Sequence, residues 1–104
     1  MTSQLVAAST IALRRRAIRL LKRGEDRKAL MALREAATLD QSGPSFVRLA
    51  NLQLELGRRD EALQSLKQAL YCFRHEDMRG RARTVARLIL KLDPADRSAL
   101  RKAA

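Results

Sequence analysis

The sequence predicts an all-α protein: an α–α superhelix (a right-handed solenoid) of tandem antiparallel hairpins, with about six helices. Three observations carry that reading. Shifting the 104-residue chain by 33 positions lays Gly24, Ala29, Leu30, Leu33 and Ala36 on Gly57, Ala62, Leu63, Leu66 and Ala69. Just upstream, Arg15, Ala17 and Leu21 fall on Arg48, Ala50 and Leu54. A repeat of this length is one supersecondary unit that buries its apolar face by stacking on its neighbours. Within each copy, small and branched residues recur at three- and four-residue spacing, which puts them on one face of a helix where another helix can come close. Glycine and proline are few, and no Val/Ile/Thr-rich alternation suggests a strand.

The elements follow in order. Residues 1–9 read as a frayed lead-in, with Ser3 or Ser9 as candidate caps. The first helix runs to about Arg23, and Gly24 ends it, because glycine alone enters the left-handed conformation cheaply. The second runs from about Asp26 to Leu39 with Ala29, Leu30, Leu33, Ala36 and Ala37 on its apolar face. Asp40 to Pro44 is a turn, with Pro44 well placed at a first helical position. The third, Ser45 to Leu56, is apolar nearly all round, so both of its faces expect cover. After the turn at Gly57, Asp60 is a candidate cap for a fourth helix that runs to about Phe73. The fifth spans about Asp77 to Leu92, with Met78, Ala82, Val85, Ala86, Ile89 and Leu92 on one side. Asp93-Pro94 stops it, since the residue before proline is pushed out of the helical region. Pro94-Ala95 can start a short amphipathic sixth helix that serves as a cap.

One domain accounts for residues 1–104: a first repeat at about 10–42, a second at about 43–75, and a degenerate third with the capping helix at about 76–104. Cys72 is the single cysteine, so no internal disulfide forms. No stretch approaches the roughly 20 apolar residues of a membrane span, and the apolar run Leu5 to Leu13 lacks the preceding basic segment of a signal peptide. A cytoplasmic protein is the expectation.

The net charge is +11 and unevenly spread. Residues 1–23 hold six basic side chains and no acidic one; residues 24–73 balance seven against seven; residues 74–104 hold nine against four. A neutral repeat core thus lies between two basic ends, a field that draws in an acidic partner. Arginine makes up 17 of the 22 basic residues, which compositional bias of the genome also produces.

No catalytic set is evident. His75 and Cys72 are the only residues of their kinds, and two candidate ligands do not make a zinc site. A Cys–His nucleophile pair would need a pocket and an orienting group. Glu25-Asp26 and Glu76-Asp77 sit at helix starts, where carboxylates favour the helix dipole. There is no glycine-rich phosphate loop. The expectation is a non-enzyme with no cofactor and no metal.

The residue pattern resembles a tetratricopeptide repeat. That family's unit alternates a large residue, a small one, a glycine, an alanine, a large residue and an alanine. The first copy supplies Leu13, Ala17, Gly24, Ala29, Leu33 and Ala36; the second supplies Phe46, Ala50, Gly57, Ala62, Leu66 and Ala69. Leu92-Asp93-Pro94-Ala95-Asp96 looks like the junction that often joins two such repeats. Two departures stand out: Arg16 where the family prefers leucine, and Gln53 where a large aromatic is usual.

The resemblance implies a binding groove lined by the first helix of each hairpin. Carried over residue by residue, that surface is Ile11, Arg14, Ile18 and Leu21 in the first unit, and Pro44, Val47, Asn51 and Leu54 in the second. The fifth helix adds some of Arg79, Arg83 and Arg87. An apolar trough with arginines at its margins suits an amphipathic or acidic segment of a protein partner, docked as a helix or an extended strand. Asn51 suits a peptide backbone, since its amide donates and accepts at once. Members that grip a carboxylate terminus use an asparagine where this chain has Ile18, which argues against a chaperone's acidic tail. The implied role is an adaptor, scaffold or small chaperone, a secretion chaperone among them. Two alternatives stay open. One is nucleic-acid binding through the arginine-rich ends, against which stands the scarcity of aromatics to stack on bases. The other is a self-assembling scaffold or homodimer, in which a second copy, or residues 1–9, covers Ile11, Ile18 and Leu21.

Overall fold

A computed structural model describes residues 3–103, and among them it shows six helices and no strand. The helices are α1 (Ser3–Lys22), α2 (Asp26–Asp40), α3 (Gly43–Glu55), α4 (Arg59–His75), α5 (Arg79–Leu92) and α6 (Arg97–Ala103). They group into two compact units, residues 1–41 and 42–104.

In the first unit α1 packs on α2. Ala17 and Leu20 of α1 are buried, as are Ala29, Leu30, Ala32, Leu33, Ala36 and Ala37 of α2. The run of alanines lets the two helices approach closely, and the leucines between them supply the buried apolar surface. The start of α1 differs from the expectation. Residues 3–9 continue the helix instead of fraying or folding over its face, and Ser9 lies inside it, where it caps nothing. Met1 and Thr2 lie outside the described residues.

In the second unit α3 packs on α4, α4 on α5 and α5 on α6. Leu66 and Ile89 are its largest fully buried side chains, and burying each is worth about 1.5–3 kcal/mol. Ser42 caps α3, its Oγ accepting from the Ser45 amide at 3.2 Å. The helix therefore opens at Gly43, two residues ahead of the expected start. Gly43 is required there, because a Cβ would overlap the buried Phe73 ring of α4. Gln53 and Ser65 are both buried, and the Ser65 hydroxyl donates to Gln53 Oε1 at 2.6 Å, joining α3 to α4. The polar residue that departs from the family pattern is thus paired inside the hairpin.

Three turns share one geometry. At 23–25 the Glu25 amide donates to the Leu20 carbonyl and Gly24 to Leu21; at 56–58 Arg58 donates to Gln53 and Gly57 to Leu54. At 76–78 Met78 donates to Phe73 and Asp77 to Arg74. This pairing satisfies carbonyls that a helix end leaves open. Gly24 and Gly57 have φ of 76° and 75°; Asp77 fills the third place at 55°. Asp77 therefore belongs to the turn, and α5 begins two residues later than expected. Asp60 does not cap α4 either: the helix begins at Arg59 with Arg58 before it, so Asp60 stands in the first turn, where it favours the dipole.

The sixth helix starts at Arg97, not at Pro94. Asp96 Oδ1 accepts from the Ala99 amide at 2.9 Å, and Asp96 Oδ2 meets Lys67 Nζ of α4 at 3.1 Å. These bonds hold the Asp96 carboxyl below its ordinary range, the backbone amide of Ala99 contributing most and Lys67 after it. Arg59 adds a second tie, donating from Nη2 to the Leu92 carbonyl at 3.3 Å.

Candidate functional site

The residues named above on the first helix of each hairpin lie on α1 in one unit and on α3 in the other. On α1, Ile11, Arg14, Ile18 and Leu21 are spaced three, four and three apart and so share one face. Ile11 is 44% and Ile18 is 54% exposed, while Arg14 and Leu21 are half-buried. Isoleucines held in water on one face of a helix form an open apolar stripe, and Arg14 between them sets a cation at its centre. The second unit carries the α3 stripe. Val47 and Pro44 are half-buried, Asn51 is exposed, and Leu54 stands at the margin of exposure. This face is less apolar, and its Asn51 amide is open to solvent.

The arginines of α5 stand on a helix that packs on α4, as α3 does. Arg79, Arg83 and Arg87 are all exposed. Arg79 and Arg83 line a concavity of about 600 Å³ formed by the end of α4, the start of α5 and α6. Tyr71, Arg74 and His75 of α4, Asp77 of the turn, and Arg101 and Lys102 of α6 also line it, with Phe73, Met78 and Ala82; Asp77 is its one carboxylate. Arg87 is not part of it. Tyr71 and His75, one helical turn apart, hold their ring centroids 4.2 Å apart. Sequence reasoning missed this basin. Its signals were the basic excess after residue 73 and the Tyr71/His75 spacing, but only the fold of α6 onto α5 brings Arg101 and Lys102 to the same place.

Elsewhere the chain shows little chemistry. Among the described residues no cluster of His, Cys, Asp or Glu is placed to hold a metal. Cys72 is half-buried and His75 exposed. No helix among the described residues is long and apolar enough to cross a membrane.

Six helices joined by tight turns, with a repeated Ala/Leu core, define a helical-repeat protein. Among solved structures, the chain is similar to the second TPR domain of the human RPAP3 protein, determined by NMR in complex with the HSP70 peptide SGPTIEEVD. The two are 15% identical, the match covers 93% of each chain, and the TM-score is 0.57. The fold is thus tetratricopeptide-like. No protein-family model matches the chain, and no curated protein matches it.

Proposed function

We propose that the chain is a non-catalytic protein-interaction module, an adaptor, scaffold or small chaperone, whose ligand is an amphipathic segment of a partner with acidic residues at its edge. The observation that supports this most is the α1 stripe: two exposed isoleucines a double turn apart, with Arg14 between them. An apolar ridge on the ligand would bury against Ile11, Ile18 and Leu21, and a flanking carboxylate would meet Arg14. In the second unit Val47, Asn51 and Leu54 would form a surface of their own, with Asn51 placed to bond a ligand's backbone. Arg79, Arg83 and Arg87 would raise the rate of encounter with an acidic partner by long-range attraction. The repeat units behind these stripes are assigned to about 10–42, 43–75 and 76–104.

The test is a panel of labelled amphipathic peptides with leucine at helical spacing and glutamate at the edges, titrated into the wild type and the Ile18→Asp and Asn51→Ala variants. Binding that Ile18→Asp weakens at least tenfold in a folded protein supports the reading. Binding that neither variant changes removes the stripe from the site.

A second reading, self-association, draws on the same exposed Ile11 and Ile18. It predicts oligomers by light scattering that Ile11→Glu dissolves.

A further inference from the structure

The basin at the end of α4 holds cations that nothing in the fold uses. Arg79 is paired, its Nε 3.3 Å from Asp77 Oδ1. Among the described residues, Arg74, Arg83, Arg101 and Lys102 have no carboxylate partner. Like charges gathered in one concavity repel one another, so an anion that enters relieves that repulsion as well as gaining its own contacts. Guanidinium groups present paired N–H donors whose fork matches phosphate oxygens. At about 600 Å³ the basin lies within the usual range for small-ligand sites. That suits one or two nucleotide units.

The rings decide between anions. The chain has four side chains with six- or five-membered aromatic rings, and three of them, Tyr71, Phe73 and His75, line this basin. Phe73 is buried, whereas Tyr71 is 60% exposed. A carboxylate-rich peptide would satisfy the arginines and leave that ring face bare. A nucleobase would stack on it while its phosphate meets the cations, the combination by which single strands are held without sequence preference. The scarcity of aromatics in the chain, which weighs against nucleic acid when read from composition, is offset by their concentration at one place.

We propose that the basin binds a nucleotide unit of single-stranded nucleic acid, with Arg83, Arg101 and Lys102 on the phosphate and Tyr71 against the base. The wall carrying Arg101 and Lys102 is held in place by Asp96, which ties the start of α6 to Lys67 of α4.

The test uses a fluorescein-labelled oligo(dT) of eight nucleotides, followed by anisotropy at about 50 mM and 200 mM salt, with intrinsic tyrosine emission as a second readout. Tyr71 is the sole tyrosine and there is no tryptophan, so that emission reports on one ring. One neutralised phosphate on a single strand gives a slope of log K against log salt of about −0.7. Arg83→Gln with Arg101→Gln, both at exposed positions, should weaken binding and bring the slope towards zero. Tyr71→Leu should weaken binding roughly tenfold and leave the slope alone. Unlabelled oligo(dT) should quench the Tyr71 emission in the wild type. The proposal is overturned if oligo(dT) does not bind at about 50 mM salt, or if Tyr71→Leu binds as the wild type does. Equal competition by a charge-matched polyglutamate peptide would make this an acidic-peptide site, and equal competition by inorganic phosphate would make it a free-phosphate site; either result also overturns it.

Discussion

In the first hairpin Leu20 and Ala32 are buried; 33 residues later, in the second, the same places are taken by Gln53 and Ser65, buried and bonded to each other. The exchange runs the other way a turn earlier, where exposed Arg16 of α1 corresponds to buried Leu49 of α3. The turns that close the two hairpins are nearly superposable in φ and share their hydrogen bonds. One backbone plan therefore carries two kinds of helix. α1 leaves isoleucines in water and arginines around them, while α3 buries more of its surface and locks to α4 through a polar pair. Positions that match between the hairpins build the scaffold. Positions that differ set what each unit offers to a partner, and they are where function should be sought.

The contrast can be broken at defined places. The largest effect is expected at Gly43, which has Thr10 as its counterpart in the first hairpin. A methyl group there must displace Phe73, so Gly43→Ala should cost about 3 kcal/mol in a urea titration. Thr10→Ala should cost less, about 1 kcal/mol, since it removes a bond to the Val6 carbonyl at 2.8 Å in the helix's own preceding turn and one buried methyl group.

Next comes the polar pair. Ser65→Ala leaves the Gln53 amide buried without its partner and should cost about 2 kcal/mol. Adding Gln53→Leu rebuilds the Leu20/Ala32 arrangement of the first hairpin, so the double variant should recover most of that loss. A double variant no more stable than Ser65→Ala alone would mean that the hairpins are not interchangeable at this place.

The turns give a smaller effect with opposite signs. Gly24→Ala and Gly57→Ala should each cost about 1 kcal/mol, because φ near 75° strains an L-residue. Asp77→Gly should stabilise by up to about 1 kcal/mol, by removing a Cβ from the same geometry. Thermal melts of the three variants check both signs.

The smallest effect is confined to acid. The Asp96 carboxyl is held below its ordinary value of about 3.8, so folding is favoured while it is ionised. Its contribution is fully present above that value and is lost as the pH falls through the lowered one. Loss of α6 docking is therefore expected only in strongly acidic solution, and Asp96→Asn should remove that part of the pH dependence.

Much of the scaffold was legible in the sequence, and the reason is physical. Gly24 and Gly57 sit where only a residue without a Cβ is unstrained, and the Ala/Leu spacing reports the face that must approach a neighbour. The third turn was hidden because Asp77 fills the left-handed position that glycine marks elsewhere. Asp60 misled for a related reason: aspartate is favoured both as a cap and in the first turn, and spacing does not separate the two. The spacing of Ile11, Arg14, Ile18 and Leu21 put them on one face of a helix, but the exposure of Ile11 and Ile18 needed coordinates, since the same residues could equally have been core. The basin was out of reach, because Arg74, Arg83 and Arg101 come together only through the packing of α4, α5 and α6.

If the open α1 stripe recognises the partner and the repeat core only holds it in place, a single affinity comparison separates the two roles. The most direct measurement is the affinity of an amphipathic, glutamate-edged peptide for the wild type, for Ile18→Asp and for the core-matched control Gln53→Leu with Ser65→Ala. At least a tenfold loss is expected with Ile18→Asp, and wild-type affinity with the control. Unchanged affinity with Ile18→Asp in a folded protein, or an equal loss in both variants, would contradict it.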